Sequence, residues 1–285
     1  MTFRIVFAIQ AGQAPLDQSA LKIDIAPRYN REPYAPLEHR IQECWDAKKA
    51  KNPNVILFNG LKFRFDGIVP GDKIMMRLGI TNYMEFMGTN YLPDEEWINR
   101  IPNPDRWLSQ PLGVEAVVTT ADNFFVLFKR SLKVADHPGW FCCPGGHPEP
   151  QPCMDKISFS SDGKTPAEMA EALSERPDII SEEIFDSILL EVHEEINVSK
   201  DSLTNLGILG IVENIQCHNK PDVIFHVACN LTKEQIQAEY DGEIKGKEQY
   251  ESDFLLFLPV EKTAVEKSGL NITPASEACL KMYRL

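Results

Sequence analysis

The chain has 285 residues, with 42 acidic and 29 basic side chains and a formal net charge of −13 at pH 7. This length allows one large domain or two modest ones with an ample core. So acidic a chain argues against nonspecific binding to nucleic acid, because neutralising phosphates takes a basic surface. An anionic substrate is therefore expected to meet a few placed cations rather than a general attractive field.

The cysteine pattern indicates a reducing compartment, and the hydropathy indicates no membrane-spanning segment. The seven cysteines show no paired C-x-x-C spacing, which favours free thiols over disulfides or a zinc site. No apolar run approaches the roughly 18 residues that span a membrane. These features predict a soluble intracellular protein, cytoplasmic or nuclear, with no membrane or nucleic acid partner. They leave the oligomeric state open.

The first part of the chain is predicted to be an α+β domain. Strands are expected at residues 2–10, 17–25 and 73–79, and a hairpin about Asn59 and Gly60 is expected to join 55–58 to 62–65. Helices are expected at 38–51, 81–87 and 94–100. Prolines at 102, 104 and 111 mark a boundary, so residues 1–111 are predicted to form one domain and residues 112–285 another.

The second part is predicted to be an α/β/α sandwich with a mixed sheet. Its expected strands are 114–120, 124–129, 206–213, 222–230 and 254–258, and helices are expected at 232–240 and 275–282. Residues 152–180 are polar and are expected to form an extended loop or a short helix.

A further helix is predicted from Ser181, as its N-cap, to Asn197, which tolerates the left-handed conformation of a helix end. Four aliphatic residues recur at intervals of four along it: Ile184, Ile188, Val192 and Ile196. Glu191 and Glu195 lie one turn apart along one edge of this apolar stripe.

Two carboxylates one turn apart repel each other, so stability alone does not favour this arrangement. A divalent cation that bridges Glu191 and Glu195 would remove the repulsion, and oxygen ligands suit Mg²⁺ or Mn²⁺. Glu194 could join through a water or act as a base. From these residues alone, a solvated acidic flank is the alternative.

A second motif precedes that helix, at residues 144–150, which read PGGHPEP. Together the two segments resemble the signature of the Nudix hydrolases, G-x5-E-x7-R-E-U-x-E-E-x-G-U, where U is aliphatic. Residues 191–195 match the E-U-x-E-E core, and Val198 matches the final aliphatic position.

The chain departs from that signature at several positions. Pro152 stands where the first glutamate belongs, Leu190 replaces the arginine and Asn197 replaces the last glycine. Glu191 follows Gly146 by 45 residues, so some 30 residues are inserted inside the motif.

The interrupted motif is similar to one branch of the family, nucleoside diphosphate-linked moiety X motif 22. The similarity runs from about residue 37 to the C-terminus and includes RLGITNY at 77–83, FMGTN at 86–90 and PLGV at 111–114. Members of the branch are UDP-glucose and UDP-galactose diphosphatases. The resemblance implies a Nudix α/β/α sandwich and Mg²⁺-dependent hydrolysis of a UDP-sugar, a small-molecule substrate, to UMP and a hexose 1-phosphate, with Mn²⁺ as a possible substitute.

The resemblance also implies which residues form the site. Glu191 and Glu195 are expected to bind the metal, and both are expected to act in catalysis together with Glu194. Substrate contacts are expected from eight residues: Phe58, Tyr83, Arg130, Ala135, Gly145, Gly146, His147 and Glu149. Among these, Tyr83 and Phe58 would stack on uracil, which would make residues 1–111 contribute to substrate specificity.

Two other functions stay open at this point. One is a Nudix pyrophosphatase that acts on another nucleoside diphosphate derivative, such as ADP-ribose, a CoA ester or an RNA cap. The other is a catalytically inactive nucleotide-binding module, which the missing arginine and the displaced glutamate allow. Three retained glutamates speak against the second, because binding alone does not require them.

Overall fold

The computed structural model describes residues 2–51, 58–69, 71, 73–91, 103–132, 134, 137–243, 245–247, 249–261 and 263–283. Its strands are β1 (Phe3–Ala8), β2 (Leu21–Ile25), β3 (Leu61–Val69), β4 (Ile74–Asn82), β5 (Gly113–Thr119), β6 (Phe124–Arg130), β7 (Phe141–Cys142), β8 (Gly145–Gly146), β9 (Leu203–Asn214), β10 (Lys220–Cys229) and β11 (Ser252–Pro259). Its helices are α1 (Ala35–Lys51), α2 (Tyr83–Gly88), α3 (Pro150–Lys156), α4 (Pro166–Ser174), α5 (Pro177–Ile196), α6 (Lys233–Asp241), α7 (Ala264–Ser268) and α8 (Pro274–Met282).

The strands form two sheets. The larger sheet has the order β1-β9-β10-β5-β6-β11, with β7 paired to β6 and β8 paired to β5. Strands β10 and β5 are parallel, and the other pairs in this sheet are antiparallel. The smaller sheet has the order β2-β4-β3, with a parallel and an antiparallel pair. The prediction of a mixed sheet is confirmed.

Helices cover both faces of the larger sheet. Alternating residues of β5 point to opposite sides: Val114 and Val118 pack in the same core as Ile188 of α5, whereas Val117 packs with Leu280 of α8. Every residue of β5 is buried, and its apolar side chains point to both faces, with Glu115 as the charged residue among them. The predicted α/β/α sandwich is therefore confirmed.

The smaller sheet shares the core on the α5 side, where β2 and β5 both contact α5. Strand β1 lies in the larger sheet, where it pairs with β9, so the first residues of the chain complete the sheet of the second half. The division of the chain near residue 112 stays a prediction.

The prediction that Ser181 caps the glutamate helix is wrong. Helix α5 begins at Pro177, whose fixed φ suits the first helical position. Ser181 is buried within the helix, where its hydroxyl donates to the carbonyl of Asp178. The predicted end is confirmed: Asn197 has φ 59° and ψ 29°, and its N–H donates to the carbonyl of His193.

The segment predicted as a loop or short helix, 152–180, contains most of α3 and the whole of α4. Helix α4 begins with a capping box, in which Thr165 and Glu168 each bond the other's backbone N–H. The predicted helix at 94–100 and the strand residues 55–57 lie outside the described residues. No helix in the described ranges is both long and apolar enough to cross a membrane.

Candidate active site

A cavity of about 1050 Å³ opens where the two sheets and α5 meet. The smaller sheet and α2 contribute Lys62 and Tyr83 to its wall, and the larger sheet contributes Arg130, the β8 glycines and Lys220. Helix α5 contributes a row of polar side chains: Glu183, Ser187, Glu191, Glu194 and Glu195.

Most of the site residues expected from the sequence line this one cavity: Tyr83, Arg130, Gly145, Gly146, His147, Glu149, Glu191, Glu194 and Glu195. Phe58 does not. Its side chain is 80% exposed and lines a neighbouring cavity of about 760 Å³, to which Glu149 also contributes. Ala135 lies outside the described residues.

Glu195 is the buried member of the carboxylate pair, with 3% of its surface exposed. The N–H of Gly145 donates to its Oε2 at 2.9 Å, which ties the glycine loop to α5. Burial, followed by the negative charge of Glu191, raises the pKa of Glu195 well above its usual range. Ionising this side chain is therefore costly unless a cation compensates the charge.

Glu191 occupies space that only a glycine leaves free. A Cβ placed on Gly146 would lie 1.9 Å from Oε1 of Glu191. The glycine loop thus brings its backbone directly against one carboxylate while it hydrogen-bonds the other. Two adjacent carboxylates, one of them buried and costly to ionise, fit a hard divalent cation that takes oxygen ligands.

Glu183 is a site residue that the sequence reasoning missed. Helices α3 and α4 hold the inserted residues, so α5 itself is unbroken. Counted back from Glu191, the signature places its first glutamate nine residues earlier, within α5. Glu182 stands there, but it pairs with Lys156 at 3.3 Å. Its neighbour Glu183 lines the cavity, accepts from the N–H of Glu149, and has its pKa raised to about 7 by burial. The available signal was its helical spacing, two turns before Glu191.

A few cations were predicted at the site, and the sequence identified one of them, Arg130, as a substrate contact. Its guanidinium lies 3.9 Å from the thiol of Cys142, at the cavity wall. Lysines that the sequence reasoning did not identify also line the cavity: Lys48, Lys62, Lys220 and Lys247. Arg130 and these lysines therefore share one cavity with the carboxylates of α5.

Aromatic side chains form the wall on the side of the smaller sheet. Tyr83 packs against Trp45 and Phe86, with ring centroids 6.1 and 6.4 Å apart, and its hydroxyl accepts from Nζ of Lys48 at 2.7 Å. Phe86 in turn lies 6.2 Å from the ring of His147. Helix α2 therefore presents an aromatic surface to the cavity.

A buried polar network supports the glycine loop from behind. Glu115 pairs in register with Gly145 and accepts a hydrogen bond from the hydroxyl of Ser276, which itself accepts from the N–H of Cys143 at 2.9 Å. Ligand atoms of Glu115, Cys143 and Cys279 lie within 4.8 Å of one another. Burial raises the pKa of the Cys279 thiol well above its ordinary value, so this side chain packs as a neutral thiol.

Glu115 is expected to make folding sensitive to alkaline pH. Burial raises its pKa from 4.5 to about 8, so between these values unfolding releases a proton and stability falls as pH rises. From pH 5.5 to pH 8.5 the loss due to this group is about 3 kcal/mol. Urea unfolding at both pH values should show that loss in the wild type and a smaller one in Glu115→Gln. Equal losses would assign the effect to other groups.

No protein-family model matches the chain. A bovine protein named uridine diphosphate glucose pyrophosphatase NUDT22 is 32% identical to it over 271 residues, which cover 91% of this chain and 87% of that protein. The human protein of the same name is 28% identical over 98% of this chain and 92% of its own length. Nudix hydrolase 9 of Arabidopsis thaliana is 29% identical over 86% of this chain and 80% of its own length.

Solved structures resemble part of the chain. A Nudix hydrolase from Alicyclobacillus acidocaldarius matches with a TM-score of 0.37 and 14% identity, over 60% of this chain and 89% of that one. The sequence relatives carry the assignment: with 32% identity to the bovine protein over most of its length, the chain belongs to the Nudix hydrolases, in the family of NUDT22.

Proposed function

We propose that this hydrolase cleaves the diphosphate bond of a UDP-sugar, such as UDP-glucose or UDP-galactose, to give UMP and a hexose 1-phosphate. The observation that carries the proposal is one cavity in which the carboxylates of Glu191 and Glu195 face Arg130 and several lysines. Such a cavity suits a ligand that has both a metal-binding diphosphate and further negative charge. The names of the curated relatives support the choice of a UDP-sugar.

Glu191 and Glu195 would hold the divalent cation, Mg²⁺ or Mn²⁺, which when bound acts as a Lewis acid on the diphosphate. The N–H of Gly145 fixes one oxygen of Glu195 and leaves the other oxygen for the cation. Arg130 can grip a pair of phosphate oxygens with its forked guanidinium. The glycine backbone at 145–146 allows the substrate to approach closely because no Cβ intervenes.

Glu194 lies next to the carboxylate pair and lines the same cavity, with Nζ of Lys247 4.0 Å from its Oε1. We assign it to the attacking water, either as the group that accepts the proton or as a ligand that positions this water. Both roles place its carboxylate beside the scissile bond.

The smaller sheet and α2 are proposed to provide specificity for the base. Tyr83 lines the cavity and offers a ring for stacking on uracil, whereas Phe58 can contact only a ligand that extends past Glu149 into the neighbouring cavity. Removing residues 1–111 would be a poor test, since it also removes β1 from the larger sheet. Point substitutions in α2 are therefore the better experiment.

Tyr83→Ala is expected to lower kcat/KM for UDP-glucose by about ten- to a hundredfold, because stacking on a base contributes roughly 1–3 kcal/mol. Tyr83→Phe keeps the ring and loses only the hydroxyl that Lys48 contacts, so it serves as the matched control. Steady-state kinetics with UDP-glucose and ADP-glucose measure both the loss and any change in selectivity. An alanine variant that retains wild-type values for both substrates would remove Tyr83 from the site.

The proposed function is tested by adding UDP-glucose to the full chain, with and without Mg²⁺, and following UMP and glucose 1-phosphate. Release of both products only in the presence of the metal is the expected result. Binding without turnover would favour the inactive nucleotide-binding module. Preferential turnover of ADP-ribose, a CoA ester or capped RNA in parallel assays would favour the other pyrophosphatases.

A further inference from the structure

Two lysines from different sheets project into the cavity with little exposure to solvent. Lys62 belongs to β3 of the smaller sheet, and its side chain is 16% exposed. Lys220 begins β10 of the larger sheet, and its side chain is 13% exposed. Removing an ammonium group from water to this extent is costly. The groups that each lysine contacts therefore indicate its role.

Each lysine is paired with a carboxylate at the cavity wall. Nζ of Lys62 contacts Oε1 of Glu149, and the side chain of Glu149 is 44% exposed. Nζ of Lys220 contacts Oδ1 of Asp222, and Asp222 is buried. A single carboxylate leaves donor capacity unused on an ammonium group, which has three N–H bonds. Both lysines can therefore donate to a further acceptor in the cavity.

His147 lies within the electrostatic reach of both lysines. Burial, followed by the charges of Lys220 and Lys62, lowers the pKa of His147 well below its ordinary value, so the imidazole is neutral at pH 7. Its Nε2 is buried and has no hydrogen-bond partner among the described residues. A buried ring nitrogen left without a partner is costly, and in the tautomer that carries its proton on Nε2 an acceptor in the cavity would remove that cost.

The glycine loop fixes the position of His147 relative to the carboxylates of Glu191 and Glu195. His147 directly follows Gly146, whose backbone lies against Glu191. Gly146 pairs with Val114 of β5, and the preceding residue, Gly113, packs against Lys220. His147 and Lys220 therefore lie close to the proposed metal site, and Lys62 of the smaller sheet lines the same cavity.

We propose that Lys62, His147 and Lys220 form an anion site that binds the phosphate of the diphosphate not held at Glu191 and Glu195. This inference rests on the proposed function and names the residues that receive the second phosphate. Two ammonium groups and a neutral Nε2–H supply charge-assisted and neutral donors to its oxygens. Each lysine keeps its carboxylate partner and donates to the phosphate through its remaining N–H groups, and Lys62 contributes the wall from the smaller sheet.

The direct test is calorimetric titration of the full chain with inorganic pyrophosphate in the presence of EDTA, which removes the contribution of a metal. Lys62→Met and Lys220→Met are each expected to weaken binding about tenfold or more, since each removes a charge-assisted contact. Lys164→Met, at an exposed lysine outside the cavity, is the matched control and should bind as the wild type does.

Two further variants separate binding from folding. Lys220→Met leaves Asp222 buried without its partner, so the double variant Lys220→Met/Asp222→Asn removes both charges and should show the same loss of affinity. Glu149→Gln frees Lys62 and is expected to tighten pyrophosphate binding, a result that a purely structural ion pair would not give.

Wild-type affinity in both lysine variants, or a wild type that does not bind pyrophosphate, would overturn the anion site. The proposed function fails differently. If the wild type releases no UMP from UDP-glucose with Mg²⁺ while pyrophosphate binding still depends on the two lysines, the substrate assignment is wrong and the anion site stands.

Discussion

Replacing Glu195 by glutamine is expected to slow the hydrolysis of UDP-glucose by about 10³-fold, with the fold retained. Stabilisation of transition-state charge by a bound metal is worth several kcal/mol, and each 1.36 kcal/mol is tenfold in rate. A glutamine carbonyl can still accept from the N–H of Gly145, so the glycine loop keeps its contact with α5. What is lost is the negative charge that the cation requires. Single-turnover kinetics at saturating Mg²⁺ measure the effect on the chemical step.

The same substitution should stabilise the metal-free protein at high pH. The pKa of Glu195 is raised in the folded state, so its contribution is present below its unfolded pKa and is lost as pH rises through the folded value. Glutamine cannot ionise and avoids that loss. Asp186→Asn, at an exposed position of the same helix, is the control and should change neither rate nor stability. Near wild-type turnover by Glu195→Gln would remove the metal assignment.

The acidic pair was predictable because helical periodicity is a local property of the sequence. The spacing of Glu191 and Glu195 places them one turn apart whatever the rest of the chain does. The start of the same helix was less predictable. Ser181 is a good N-cap by composition, but the apolar residues Ile179 and Ile180 before it are buried in the core, and the helix extends back to include them.

The lysines of the site could not be found in this way, because their proximity is tertiary. Lys62 and Lys220 are far apart in the chain and line the same cavity as His147 only because the smaller sheet packs against the α5 side of the larger one. Phe58 shows the converse. The resemblance implied a stacking role for it, but its side chain lines the neighbouring cavity.

Replacing Gly146 by alanine is expected to lower kcat by about 10²-fold while the free energy of unfolding changes little. The new Cβ would fall on the carboxylate of Glu191, 1.9 Å from Oε1 and 2.3 Å from Cδ. Because that carboxylate ends a flexible side chain, it can move away and the fold survives. It then no longer lies beside Glu195, and displacing a catalytic group by about 1 Å can cost that factor in rate. Mg²⁺ titrations of activity should also show weaker metal binding.

Gly145→Ala is expected to lower stability as well as activity, which makes the pair of variants informative. Its Cβ would meet backbone, 2.6 Å from the carbonyl oxygen of Val114, and 2.9 Å from Cγ of Glu115. The pairing of β8 with β5 must then shift, so the thermal midpoint falls together with activity. Gly71→Ala, whose Cβ would lie no closer than 3.5 Å to a neighbouring atom, controls for adding a methyl group. If Gly146→Ala kept full activity, Glu191 would not need its place against the glycine loop, and the proposed metal pair would lose one of its two members.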